Sequence, residues 1–112
     1  MKGLDVLETI FKLQMELARI TTSTGYPQIK EERISVLATA MIHEAIELQR
    51  LTNWKWWKKP SKFDDTRAKE EVIDLWHFLV QTSIELGMTP KEILEQYLRK
   101  NQINKERQEK GY

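Results

Sequence analysis

The chain contains no cysteine. This absence excludes a disulfide framework and any metal site built on thiolates. A strong excess of charge is missing too, because 18 basic residues stand against 17 acidic ones and the formal net charge is +1. A general affinity for nucleic acid needs a net positive field, so we expect no nucleic-acid partner. Any anionic ligand must be bound by a local cluster.

Long apolar runs are also absent. None reaches the roughly 18 residues that span a bilayer, and "MKGLDVLETIF" has neither the apolar core nor the cleavage site of a signal peptide. We therefore expect a cytoplasmic protein without a membrane partner, and one domain over residues 1–112. A chain of this length buries only about two-thirds of its unfolded surface, so a remaining apolar face would favour a dimer.

Helical periodicity accounts for nearly all of the chain, and no alternating run suggests a strand. The first segment has an apolar stripe that Gln14 interrupts on its own face, and it ends in "TTSTGYP". The second begins after Pro27 and runs to about Leu51. The stripe residues are Leu7, Ile10, Phe11, Leu17 and Ala18 in the first segment, and Ile34, Leu37, Ala38, Met41, Ala45 and Leu48 in the second.

Two further helices follow the connection "NWKWWKKPSKFDD". The third, with Asp64 or Asp65 as N-cap, is apolar nearly all round from Val72 to Val80, which predicts a buried central helix ending before Gly87. The fourth opens with "TPKE", which is typical of an N-cap threonine with proline at the first helical position and a reciprocal glutamate. The sequence therefore predicts an all-α bundle of four helices.

Two pairs of acidic residues carry the chemistry. Glu44 and Glu47 are three apart in "HEAIE", and Glu71 and Asp74 are three apart in "EEVID", so each pair projects from one face of its helix. Most such pairs in a highly charged helical protein are solvated. Here Glu44 is in line with apolar residues and Asp74 lies within an apolar stretch, where an unpaired carboxylate is costly. Four carboxylates without a thiolate suit Mg²⁺, which shares its ligand shell with phosphates.

Three alternatives concern the same residues or their neighbours. Asp74 and His77 are also three apart and could form half of a di-iron site, although the second helix lacks the matching histidine; a core or supporting role for His77 fits better. The segment "NWKWWKK" could stack single-stranded nucleic acid, or its tryptophans could cover the core. The closing "KNQINKERQEKGY" spaces Asn101, Asn104 and Arg107 three apart and is either a frayed polar tail or a row of donors.

These motifs resemble the metal motif of the all-α nucleotide pyrophosphohydrolases, which include MazG and the dimeric dUTPases. "WKWW", "HFLVQTSIELG" and "YLRKNQINKERQEKGY" are similar to segments of the dimeric dUTPases in particular. The resemblance implies a four-helix MazG-like bundle completed by dimerisation. It also implies a Mg²⁺-dependent hydrolase that converts dUTP to dUMP and pyrophosphate, acting as a homodimer on a nucleotide substrate.

The resemblance also implies roles for individual residues. The metal ligands would be Glu44, Glu47, Glu71 and Asp74. The substrate-binding residues would be Gln14 near the uracil, with Lys55, Trp57, Lys100, Asn101, Asn104 and Arg107. On a continuing fourth helix Lys100, Asn104 and Arg107 share a face and could hold a triphosphate. We assign the general base to Glu47, which lies less clearly in the apolar stripe than Glu44.

The sequence departs from the dimeric dUTPases at two places. The segment that this family inserts between the third and fourth helices is missing, and Arg50 and Leu51 stand where the family often has Asn-Glu. Base specificity is therefore less well defined than pyrophosphohydrolysis. A MazG-like enzyme of broader specificity and a non-catalytic helical interaction module are the alternative functions.

Overall fold

Four helices make up the computed structural model, which describes residues 5–111. They are α1 (Val6–Thr21), α2 (Lys30–Arg50), α3 (Asp65–Glu85) and α4 (Pro90–Glu109). The predicted all-α class and the four segments are confirmed, and no strand occurs among the described residues. The predicted domain over residues 1–112 extends at both ends outside the described residues. No described helix is long and apolar enough to cross a membrane.

Side-chain caps begin three of the helices. Asp5 accepts a hydrogen bond from the backbone N–H of Glu8 at 2.9 Å, and Asp64 accepts one from Arg67 at 3.1 Å. Thr89 accepts one from Glu92 at 3.1 Å, directly before Pro90. These oxygens satisfy N–H groups that have no partner within the helix. The caps at Asp64 and Thr89 are among those that the sequence predicts.

A glycine ends α3 and turns the chain into α4. Gly87 has φ +75°, a left-handed conformation that side chains with a Cβ rarely adopt. The N–H of Gly87 donates to the carbonyl of Ile84 at 2.9 Å and that of Met88 donates to Ser83 at 3.0 Å. This is the Schellman pattern, which satisfies the last carbonyls of the helix. It allows α4 to start without the inserted segment of the dimeric dUTPases.

Packing is centred on the pair α2 and α3, with α1 against α3 and α4 in contact with α1. The buried apolar residues are Phe11, Leu37, Ala68 and Val80. This core is small, and the prediction that α3 is buried all round is wrong for the single chain. Ile73, Trp76 and Leu79 are 54%, 47% and 49% exposed, because α1 and α2 together cover only part of the α3 surface.

Candidate functional site

The carboxylate cluster lies where α2 packs against α3. Oxygens of Glu44, Glu47 and Glu71 lie within 4.8 Å of one another. The sequence predicts that four carboxylates of α2 and α3 converge, and these three do. Asp74 is outside this tight group. It lines the same cavity as Glu44 and is close enough to raise the pKa of Glu44.

Burial within the cluster is uneven. Glu44 and Glu71 are partly buried, and Oε2 of each is buried without a hydrogen-bond partner. Glu47 and Asp74 are exposed. The expectation that Asp74 is buried is wrong for the single chain, because its stretch of α3 includes the uncovered surface around Ile73 and Trp76.

Electrostatic repulsion in the cluster affects the pKa of one carboxyl group, that of Glu44. Burial raises the pKa of Glu44 above its ordinary value, and the neighbouring carboxylates of Glu47, Glu71 and Asp74 raise it further. Two buried oxygens without partners and several adjacent negative charges form a donor set that a divalent cation would satisfy. Hard oxygen ligands without sulfur fit Mg²⁺.

This repulsion predicts that the metal-free protein is stabilised by Glu44→Gln. When the pKa of a carboxyl is higher in the folded state than in the unfolded state, the protein loses stability as the pH rises above the unfolded-state pKa. Without added metal, Glu44→Gln should therefore raise the Tm by a few degrees at neutral pH. The difference in Tm between the two proteins should shrink at pH values below 4.5, the ordinary pKa of this carboxyl, because the carboxyl is then protonated in both states. Calorimetry in EDTA measures this, and a lower Tm for the variant at neutral pH would contradict it.

A cavity of about 590 Å³ connects the carboxylates to α1. Its polar lining includes the carboxylates Glu44 and Asp74 together with Gln14, His77 and Gln81. Apolar side chains complete the wall, including Leu17, Val36, Leu37, Ala40 and Phe78. Carboxylates, apolar surface and amides in one cavity suit a ligand with an anionic end and a flat polar end.

Gln14 is 8% exposed and lies at this cavity wall. Its Oε1 is 2.8 Å from Nδ1 of His77, and its Nε2 donates to Oε1 of Gln81 at 3.0 Å. The sequence singled out Gln14 because it interrupts an apolar stripe, and the structure confirms that it faces inward. His77 lies outside the carboxylate group, and its Nδ1 contacts Gln14, which fits a supporting role rather than half of a di-iron site.

Lys55 and Trp57 lie in the connection after α2. Lys55 helps line a pocket of about 200 Å³ with Arg50, Lys58 and Lys59, so positive charge is concentrated at the C-terminal end of α2 and in the connection that follows it. Asn53 closes the connection with two hydrogen bonds to the backbone of Ser61, at 2.8 Å and 3.0 Å.

The aromatic side chains of this connection stay near its surface. Trp57 is 59% exposed and makes edge contacts with Trp54 and Trp56 at centroid distances of 6.0 Å and 5.5 Å. Trp56 is 85% exposed. The tryptophans therefore do not cover the core of the single chain.

The predicted donor row is on the second half of α4. Lys100, Asn101, Asn104 and Arg107 are all exposed. In the described part of the chain, α4 has close backbone contacts with α1 but none with α2 or α3, which carry the carboxylates. The structure therefore does not bring the row to the cluster, and its phosphate-binding role stays a prediction.

Sequence reasoning missed a polar network beside the cavity. Glu85 accepts hydrogen bonds from Tyr26 at 2.7 Å and from Gln81 at 3.0 Å, and it forms an ion pair with Arg33 at 3.3 Å. Burial raises the pKa of Tyr26 to about 12, with a further contribution from Glu85. The partners are up to 59 residues apart, so no local spacing in the sequence indicates that they meet.

The fold and the cavity define a class: a helical bundle with a carboxylate cluster suited to a divalent cation between two of its helices. Comparison with known sequences identifies the family. A family model described as dUTPase matches residues 6–92, which is more than half of the chain, and the chain belongs to this family.

Two curated relatives are named dCTP pyrophosphatase. The protein of Enterobacteria phage T4 is 35% identical over 71 residues, covering 53% of this chain and 42% of the relative. That of Enterobacteria phage LZ5 is 38% identical over 71 residues, covering 53% and 41%. The chain thus spans about two-fifths of the length of these relatives. No solved structure gives a significant match.

Proposed function

We propose that this chain hydrolyses dUTP to dUMP and pyrophosphate in a Mg²⁺-dependent reaction. The observation that carries the proposal is the group of three carboxylates within 4.8 Å, two of them with buried oxygens that have no hydrogen-bond partner. Membership of the dUTPase family supports the substrate. dCTP is the second candidate substrate, because both curated relatives are named dCTP pyrophosphatase.

The burial of each carboxylate suggests its role. Glu44, Glu47, Glu71 and Asp74 would hold Mg²⁺, which would supply charge neutralisation of the phosphates and activation of water. Glu47 is exposed, so it is available to accept a proton from the attacking water. Hydrolysis then adds that water across the bond between the α- and β-phosphates, and pyrophosphate leaves.

The remaining parts of the site would position the nucleotide. Gln14 would lie beside the base in the cavity that it shares with Glu44 and Asp74. Lys55 and Trp57 would approach the substrate from the connection after α2. The row on α4, namely Lys100, Asn101, Asn104 and Arg107, would supply charge and fixed donors to the phosphates.

A substrate panel tests this function. The protein is incubated with Mg²⁺ and each of dUTP, dCTP, dTTP and dATP, and both pyrophosphate and nucleoside monophosphate are measured. The proposal expects stoichiometric release of the two products from dUTP. Equal rates on all four nucleotides would indicate the broader, MazG-like specificity, and release of orthophosphate without pyrophosphate would contradict the proposed bond cleavage.

We also propose that the chain works as a homodimer through the exposed face of α1 and α3. The Cα radius of gyration is 17.6 Å, against about 13 Å expected for a compact chain of this length. The accessible surface is 9409 Å², against about 6,500 Å² expected for a monomer of this mass. An apolar groove of about 280 Å³ between the two helices includes Ile10, Ile73 and Trp76.

This face predicts a specific dissociating variant. Light scattering at micromolar concentration should give twice the chain mass for the wild type and a single chain mass for Ile73→Glu, because the new charge would be buried in the contact. Ile42→Glu on α2 is the matched control, since Ile42 is also exposed, at 59%. A monomeric wild type would contradict the dimer, and dissociation by Ile42→Glu alone would contradict the choice of face.

A further inference from the structure

We infer that the polar network formed by Glu85, Gln81, Gln14 and His77 fixes the direction of the Gln14 amide and so selects between pyrimidine bases. The inference rests on the proposed function, in which Gln14 lies beside the base. It adds positioning roles for Gln81, which lines the same cavity as Gln14, and for Glu85, which lies behind Gln81 and outside the cavity lining.

The network runs without interruption from Glu85 to the cavity wall. Gln81 donates from Nε2 to Glu85 at 3.0 Å, and its Oε1 accepts from Nε2 of Gln14 at 3.0 Å. Oε1 of Gln14 is then 2.8 Å from Nδ1 of His77. Gln14 and Gln81 are 8% and 6% exposed, so bulk water has little access to the hydrogen bond between them.

The negative charge on Glu85 determines which group donates and which accepts in each hydrogen bond of the network. Burial alone would raise the pKa of Glu85, but hydrogen bonds from Tyr26, Gln81 and Arg33, together with the Arg33 charge, lower it below its ordinary value. Glu85 is therefore a carboxylate at neutral pH, and a carboxylate can only accept hydrogen bonds. The Gln81 amide must point its NH₂ group at Glu85, which leaves its oxygen for Gln14.

The orientation of the Gln81 amide determines the orientation of the Gln14 amide. Its NH₂ group must point at the Gln81 oxygen, so its own oxygen faces His77, and His77 must carry its proton on Nδ1. One N–H and one oxygen lone pair of Gln14 then remain for a ligand. Turning the Gln14 amide over would place its oxygen against the Gln81 oxygen and its NH₂ group against the N–H of His77, which is unfavourable.

A fixed amide distinguishes cytosine from uracil. Cytosine has an amino donor at position 4 and a ring-nitrogen acceptor at position 3, whereas uracil has a carbonyl acceptor at position 4 and an N–H donor at position 3. The order of donor and acceptor along the edge is therefore reversed between the two bases. An amide held in one direction matches one order, and a freely turning amide would match both.

Glu85→Gln tests the inference, because a neutral amide at position 85 can donate as well as accept and so permits the reversed network. The measured quantity is the ratio of kcat/KM for dCTP to that for dUTP at about pH 8. We expect the ratio to move about tenfold or more toward the base that the wild type disfavours. Arg33→Met is the matched control, since it also removes the ion pair but keeps the Glu85 carboxylate, and its ratio should stay within about twofold.

The tautomer of His77 gives a second readout that does not depend on turnover. Nitrogen-15 NMR of the whole chain should show the proton on Nδ1 in the wild type and in Arg33→Met. A wild-type proton on Nε2, or an unchanged ratio in Glu85→Gln, would overturn the inference. If Glu85→Gln does not fold, Gln81→Met breaks the same network, and an unchanged ratio there would overturn it equally.

Failure of the proposed function would look different from failure of this inference. If the wild type hydrolyses neither dUTP nor dCTP, the proposed function fails and base selection fails with it. If the wild type hydrolyses either nucleotide but the ratio is the same in all variants, the function stands and the role of the network is wrong.

Discussion

Glu44→Gln should lower the turnover of dUTP below about one-thousandth of the wild-type rate while the chain stays folded. The substitution keeps the shape of the side chain but removes one negative charge from the three clustered carboxylates. It also replaces a buried oxygen that has no partner in the protein. We expect the same loss for Asp74→Asn, because Asp74 shares the cavity with Glu44.

The control for this loss is Glu31→Gln, which neutralises an exposed carboxylate in the first turn of the same helix. Circular dichroism establishes that each variant is folded, and coupled pyrophosphate detection gives the rate. A wild-type rate in Glu44→Gln or Asp74→Asn would contradict the assignment of that residue to the metal site. A similar loss of dUTP turnover in Glu31→Gln would mean that removing any negative charge from α2 lowers the rate.

A chain that ends after Leu98 should retain its fold but lose dUTP hydrolysis by about a hundredfold or more. The removed residues that the structure describes, 99–111, are exposed, apart from partly buried Ile103, so little of the described packing is lost. What disappears is the donor row with its two cations, Lys100 and Arg107. Charge-assisted hydrogen bonds to phosphate contribute more than neutral ones, and losing several together should have a large effect.

Single substitutions separate the donor row from a merely solvated helix end. Arg107→Ala should lower kcat/KM by about tenfold to a hundredfold, corresponding to roughly 1.5–3 kcal/mol. Lys100→Ala should have a milder effect, since lysine contacts phosphate as a point charge. Lys91→Ala is the matched control, because it removes an exposed cation from the opposite side of the same helix. Full activity in the shortened chain would contradict the phosphate role.

Much of the fold was predictable because its boundaries depend on local chemistry. The caps Asp64 and Thr89 and the stop at Gly87 lie where the sequence indicates them. Each uses contacts within a few residues along the chain, which spacing alone reveals. The burial of α3 was not predictable in the same way. An apolar helix surface indicates that something covers it, but not whether the cover is this chain or a second copy.

The candidate site was likewise predictable in part, where it depends on spacing within one helix. Helical spacing places Glu44 with Glu47 and Glu71 with Asp74 on single faces, so the convergence of Glu44, Glu47 and Glu71 follows once α2 packs on α3. Gln14 was identifiable as a polar residue on an apolar face. Its partners were not, since His77 and Gln81 lie 63 and 67 residues away. Glu85 and Arg33 look like ordinary surface charges until the fold brings them together.

The central claim is that the carboxylates of α2 and α3 form a divalent-cation site, and calorimetric titration of the wild type and of Glu44→Gln with Mg²⁺ tests it most directly. The account predicts saturable binding to the wild type and its loss in Glu44→Gln, with binding retained in Glu31→Gln. An absence of saturable binding to the wild type, or equal binding to wild type and Glu44→Gln, would contradict the claim and favour a helical interaction module whose carboxylates are only surface charge.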